Sequence, residues 1–292
     1  MNREVVISDA HAHISNKGIG PHEYAKRFKG SNGWFIALAS LPPYHYGLGS
    51  SLYDLIKSFD IHIELCNIIR SYGIKVSCIL GLHPAYIDRI IKEYQNRHEK
   101  VLEIVNKGIE TIEKYIKEGR ADGVGEVGRP HYKTIPEVFS LCDYIIIKAL
   151  EIVNDYDVVL HLHLEDRGIL TVLSIRELSE KLLSKSRKRR VVFHHASLRT
   201  SKNAFTYGFP STIVGRYPLL KKLFDEHKEL INSVMIESDY IDDLRRPGVV
   251  MYPWEIAKEA TKLLSESIRY YDLLEKVFID NIVKVYDVGY PP

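Results

Sequence analysis

Apolar, β-branched runs recur along the chain, each closing on polar residues, with amphipathic stretches between them. The runs span residues 4–13 (EVVISDAHAH), 33–40, 74–84, 121–128, 157–165, 189–197, 209–214 and 233–240. They are continuous rather than alternating, as strands covered on both faces of a parallel sheet are. The stretches between them carry apolar residues three and four apart, the period of a helix with one buried stripe. Residues 86–118 are the longest, with Ile87, Ile90, Ile91, Val101, Ile104, Val105 and Ile112 in register. That length predicts two helices or one kinked helix. Residues 136–156, 168–185, 215–229, 253–267 and 269–286 read the same way. Pro136 and Pro253 fall where a first helical turn would begin.

About eight strands alternating with helices predict an α/β fold, either a TIM-like (β/α)8 barrel or a doubly wound sheet. The barrel is favoured because polar residues gather at the C-terminal ends of nearly all the strands, where barrel enzymes keep their active sites. No G-x-G-x-x-G follows the first strand, which removes support for a dinucleotide fold. No repeat or linker interrupts the pattern, so residues 1–292 are expected to form one barrel domain. The basic run KSRKRR (185–190) precedes a strand, which puts it at the opposite end, as a solvated face.

Composition narrows the partners. Charged residues make up 27% and the formal net charge is +2, too balanced to predict nucleic-acid binding from charge alone. Cys66, Cys78 and Cys142 are an odd set without regular spacing, and read as buried small hydrophobes rather than a disulfide framework. Residues 1–8 are too short for the apolar core of a signal peptide, and no apolar run is long enough to cross a membrane. The expected setting is cytoplasmic, with no obligate protein partner.

The chemistry lies at the strand ends. Asp9, His11 and His13 occupy alternate positions and share one face of the first strand. His83 ends the third strand and Glu126 the fourth. His161 and His163 share a face of the fifth, and His194 and His195 end the sixth. Asp239 ends the last. Strand alternation sends His194 and His195 to opposite faces, so only one is expected to point inward. Histidines and carboxylates converging in one bowl suit Zn²⁺, Mn²⁺ or a similar divalent ion. At least six candidates, with a carboxylate in the middle, exceed what one tetrahedral ion uses and imply two ions about 3.5–4 Å apart. His22, His45, His62, His98 and His227 read as ordinary core or surface histidines.

The order DAHAH, GLHP, GVGEVG, VVLHLH, VVFHHAS and IESD resembles the TatD-type metal-dependent hydrolases of the amidohydrolase superfamily, from Asp9 to about Asn281. GEVGRPHY and DYIDDLRRPG resemble an archaeal branch of that family. The resemblance implies a TIM-like barrel with two divalent ions, Zn, Mn or Mg. His11 and His13 would hold one ion and Glu126 would bridge. Asp239 would complete the first ion's shell and accept a proton from water. The second ion would take His163, since HLED fits the branch's His-x-Glu pattern, and His194; the bacterial pattern would choose His161 instead. Where bacterial exonuclease-type members carry His-Ser-Arg and His-Cys-Phe-Ser-Gly, this chain reads HLED and HHASL.

The expected activity is metal-assisted hydrolysis of a phosphodiester, resembling a deoxyribonuclease, on a small-molecule or nucleic-acid-type ester. Asp239 and Glu126 are the catalytic candidates. Arg129, Arg199, Arg245 and Arg246 follow strand ends and are candidate phosphate clamps. Asp9 is a candidate to orient His11 or His13, and Glu165 and Asp166 to orient the fifth-strand ligand. The rivals are an ester, lactone or amide hydrolase of the same superfamily, a mononuclear deaminase, and a barrel kept as a binding module. The phosphotriesterase type bridges its ions with a carboxylated lysine on the fourth strand, where this chain offers Glu126 and no lysine nearer than Lys133.

Overall fold

Each apolar run forms a strand, and each strand pairs in parallel with the next. In the computed structural model, which describes residues 5–166 and 168–291, the sheet order is β1 to β8 in sequence. The strands are β1 (Ile7–Ala12), β2 (Gly33–Ala39), β3 (Lys75–Leu80), β4 (Gly123–Gly128), β5 (Val159–His163), β6 (Val191–Phe193), β7 (Ser211–Val214) and β8 (Val234–Glu237). Glu4, the start of the first predicted run, lies outside the described residues. The β8–β1 seam closes through Asp239 N–H donating to His11 O (3.0 Å) and His13 N–H donating to Tyr240 O (2.7 Å). Asp9 reinforces it from the side, accepting from the Ser238 N–H (2.9 Å) and hydroxyl (2.5 Å). The result is a TIM-like (β/α)8 barrel.

Around it stand α1 (Pro21–Gly30), α2 (Leu52–Arg70), α3 (Pro84–Tyr94), α4 (His98–Lys117), α5 (Pro136–Tyr156), α6 (Ile169–Leu182), α7 (Leu198–Thr206), α8 (Tyr217–Glu226) and α9 (Glu255–Glu266). The chain ends in α10 (Tyr271–Glu275), a π turn (Lys276–Asp280) and α11 (Asn281–Tyr286). The 86–118 stretch is two helices, broken over residues 95–97. Pro136 opens α5 as expected, whereas Pro253 precedes α9 by two residues and Trp254 is its N-cap. The hydrophobic pattern left α1, α2 and α7 unread. α2 is buried over much of its circumference, which blurs the helical stripe.

Strand parity sorts the core into two clusters. Outward residues such as Ile36, Leu38, Leu160, Leu162 and Ile236 pack under the helices. Inward residues Phe35, Ile79, Val159, Val192 and Met235, with Tyr286 from α11, fill the lower barrel. The same parity carries upward: His161 and His163 continue the Val159 face, His194 that of Val192, and Glu237 that of Met235. The polar site therefore sits on an apolar plug.

The basic run departs from expectation. It forms a 3-10 turn at the barrel's lower end, and Arg190 is buried, not solvated. Its guanidinium donates to Asp157 Oδ1 (2.8 Å) and to the Val285 carbonyl (2.7 Å). All three cysteines are free and buried, and among the described residues no helix is long and apolar enough to cross a membrane.

Candidate metal centre at the barrel mouth

Glu126 is the hub of the mouth. It is 4% exposed, and five imidazoles present nitrogens to its carboxylate. The distances are 2.6 Å to His194 Nε2, 3.2 Å to His163 Nδ1, 3.4 Å to His11 Nε2, 3.5 Å to His13 Nε2 and 3.8 Å to His83 Nε2. Glycines make room for it. A Cβ on Gly125 would meet His161 Cβ at 2.8 Å, and one on Gly128 would run into the His163 carbonyl; both hold positive φ. Burial alone would raise the Glu126 carboxyl, but the imidazoles, His194 foremost, hold it well below the usual carboxylate range.

Hydrogen bonds set the tautomers of the histidines. The Tyr286 hydroxyl donates to Ala10 O (2.8 Å), so its oxygen accepts from His161 Nε2 (2.8 Å). Neutral His161 then keeps a lone pair on Nδ1, which accepts from His11 Nδ1 (2.7 Å). His11 Nε2 is left bare and faces the mouth. His13 Nδ1 donates to Ala39 O (2.9 Å), which bares its Nε2 as well. Burial holds His11 and His161 below the ordinary histidine range and takes His13 to about 4, so these rings are neutral and able to ligate. His194 differs. Burial would lower it, yet Glu237 and Glu126 on its two sides hold it well above the ordinary value. Its Nδ1 bonds Glu237 Oε2 at 3.0 Å, leaving Nε2 against Glu126. A positive charge is thus wanted at the point where Glu126 and His194 meet.

His83 has the reverse tautomer. Its Nδ1 accepts from the Ala85 N–H (3.0 Å) at the start of α3, so its proton is on Nε2, aimed toward Glu126. It is a donor to this centre rather than a ligand. Asp239 enters from the seam. Its φ is +49°, and His13 Nε2 lies 3.9 Å from Oδ1. Burial, with Glu237, Glu126 and Asp9 adding repulsion, raises its carboxyl well above the ordinary value.

The donor set fits a divalent ion. Ligands bound at 2.0–2.1 Å in a tetrahedron stand about 3.4 Å apart. His11 Nε2 and His13 Nε2 are 3.4 Å apart, with Glu126 Oε1 3.4 Å from the first and Oε2 3.5 Å from the second. The groups His11–His13–Asp239 and His11–Glu126–His194 each keep their ligand atoms within 4.8 Å of one another. His62, Cys66 and Cys78 form a similar group behind the barrel, but His62 spends Nε2 on Leu38 O and Nδ1 on Tyr46.

A family model described as TatD related DNase matches residues 8–287. The chain belongs to the TatD family. It is 26% identical to the uncharacterized protein MJ1127 of Methanocaldococcus jannaschii, over 98% of this chain and 97% of that one. Two solved structures share the fold. The Escherichia coli TatD homolog YJJV aligns at a TM-score of 0.62 and 15% identity, covering 98% of this chain and 99% of its own. An E. coli phosphotriesterase homology protein with phosphate in its active site aligns at 0.66 and 14%, covering 97% and 99%.

Against the TatD-type expectations, the structure gathers His11, His13, Glu126, His163, His194 and Asp239 in one mouth, and sets His161 a layer below. Three supporting roles differ. Asp9 accepts from the His11 and Ser238 N–H groups and the Ser238 hydroxyl, not from an imidazole. Glu165 bonds Arg129 and Thr171, away from His163. Asp166 accepts from Ser197. Arg129 is tied to Asp143, Glu165 and Ser174, which leaves it no free fork for phosphate. His194 and His195 do not split to opposite faces: β6 ends at Phe193, His195 has φ +45°, and the two rings lie 4.3 Å apart. Two residues escaped the sequence reading. Glu237 lies two positions before Asp239, so alternation marked it. His131 sits in the GEVGRPHY loop, and its ring lies 4.7 Å from that of His163. His45, read as ordinary, is taken to about 4 by burial.

Proposed function

We propose that this chain is a hydrolase with a dinuclear divalent-metal centre, acting on phosphate esters and favouring phosphodiesters. The observation that carries the reading is Glu126, one buried carboxylate ringed by imidazoles at the ends of β1, β5 and β6, two of them fixed to present bare Nε2 atoms. His11, His13 and Asp239 would hold one ion, His163 and His194 the other, and Glu126 would span both. When bound, the ions supply Lewis acidity that polarises a scissile phosphoryl oxygen and acidifies water. Asp239 accepts the proton given up by the attacking water and returns it to the leaving oxygen. The His83 Nε2–H is placed to donate to an oxygen bound beside Glu126. Glu237 holds His194 through Nδ1, and the Tyr286–His161 pair holds His11, so the ligands do not reorient during turnover. The TatD family model, with its DNase description, supports phosphodiesters over acyl substrates. The ion is Zn²⁺, Mn²⁺ or Mg²⁺; a nitrogen-rich set favours the first two.

A substrate panel tests this. Metal-stripped protein is reloaded with Zn²⁺, Mn²⁺ or Mg²⁺ and offered bis(p-nitrophenyl) phosphate, p-nitrophenyl phosphate, single-stranded DNA, p-nitrophenyl acetate and a lactone. Metal-restored cleavage of the diester or DNA is expected. Turnover of the acetate or lactone alone would overturn the substrate class.

A further inference from the structure

Beyond the proposed dinuclear centre, on which this inference builds, a further group of imidazoles stands on the solvent side. His131 comes from the loop after β4, His163 from the end of β5, and His195 from the turn after β6. One nitrogen of each lies within 4.8 Å of the others. The ring centroids are 4.7 Å apart for His131–His163, 4.7 Å for His163–His195 and 5.6 Å for His131–His195. His195 Nε2 is buried and has no hydrogen-bond partner. A buried polar atom left so is costly and calls for an occupant. The left-handed turn at His195 aims the ring here, and the neighbouring His194 N–H and Ala196 N–H bonds to Leu162 O (3.3 Å) and Thr212 O (3.0 Å) fix that turn.

We propose that His131, His163 and His195 form a third, outer site for a divalent transition-metal ion. Three imidazoles with an open side are a donor set suited to Zn²⁺, Co²⁺ or Ni²⁺ and ill suited to Mg²⁺. His163 is common to both centres. It turns Nδ1 to Glu126, so Nε2 is the nitrogen it offers outward. The outer ion faces the entry to the mouth, where a substrate oxyanion would arrive.

The test is stoichiometric and needs no substrate. Metal-free protein is dialysed to equilibrium against Zn²⁺, and bound metal is counted by mass spectrometry. Wild type is expected to hold three equivalents, and a His131→Ala/His195→Ala double variant two, with its fold checked by circular dichroism. His131→Gln is a milder second variant, at an exposed loop position, and should weaken the third site at least tenfold. Two equivalents in every protein would overturn the outer site and leave the dinuclear reading standing. Three in the double variant would overturn it as well. None in wild type would remove both.

Discussion

The two ends of the barrel solve opposite problems. At the lower end, buried charge is matched. Arg190 meets Asp157 and a carbonyl, and Arg187 and Arg189 also reach Asp157. These contacts hold Asp157 at about 2, below its ordinary value. At the mouth, buried charge is mismatched. Glu126, Glu237, Asp239 and Asp9 crowd together, Asp9 is pushed up to about 7 by burial, and Glu237 Oε1 and His195 Nε2 lack partners. Arg190 is as buried as Glu126, so the difference is not one of exposure alone. The lower end is complete as protein, whereas the mouth is the part that the proposed ions would complete. That division matches the rule that a barrel's C-terminal face carries chemistry and its other face stability.

Mutations at each end should therefore separate function from folding. The largest effect is expected from Glu126→Gln: loss of at least one bound ion and a rate fall on the order of 10³-fold or more, with the metal-free protein no less heat-stable. Bound-metal counting beside a diester assay checks both. Asp239→Asn should keep most of the metal and still lose about 10²–10⁴-fold in turnover; unchanged turnover would remove it from proton transfer. At the other end, Arg190→Ala should remove the bonds to Asp157 and to the Val285 carbonyl and cost about 2–3 kcal/mol of stability, with turnover per folded molecule unaltered. Urea denaturation paired with the same assay reads that out.

Tyr286→Phe sharpens the comparison, because Tyr286 reaches from the plug to the ligand chain. Losing its hydroxyl frees the His161 tautomer, and the metal affinity of the His11 site should fall about tenfold, read by competition with a chelator. The smallest effect is in acid. Asp157 has a folded pKa of about 2, below its ordinary 3.8, so its stabilisation is present above about pH 4 and is lost as pH falls through 2. With the carboxyl partly exposed, this amounts to about 1 kcal/mol. An Asp157→Asn variant should lack that acid sensitivity.

The strand order and the gathering of the histidines were legible because both follow from parity: an inward Val159 forces inward His161 and His163. Glu237 was legible by the same rule and was passed over beside Asp239. What was not legible depends on where a strand stops. The sixth strand ends one residue before His194, so alternation misplaced His195. The reversed tautomer of His83 depends on the Ala85 N–H, which the strand pattern does not connect to it. Arg129 looked free as a sequence position and is neutralised by residues 14 and 36 places away.

The central claim is that the mouth is built around two ions spanned by Glu126. Anomalous diffraction at the zinc edge from zinc-loaded crystals tests it directly. One peak is expected among His11, His13, Asp239 and Glu126, and a second among Glu126, His163 and His194. A mouth without anomalous signal beside Glu126, in crystals of protein that still hydrolyses a diester, would contradict it.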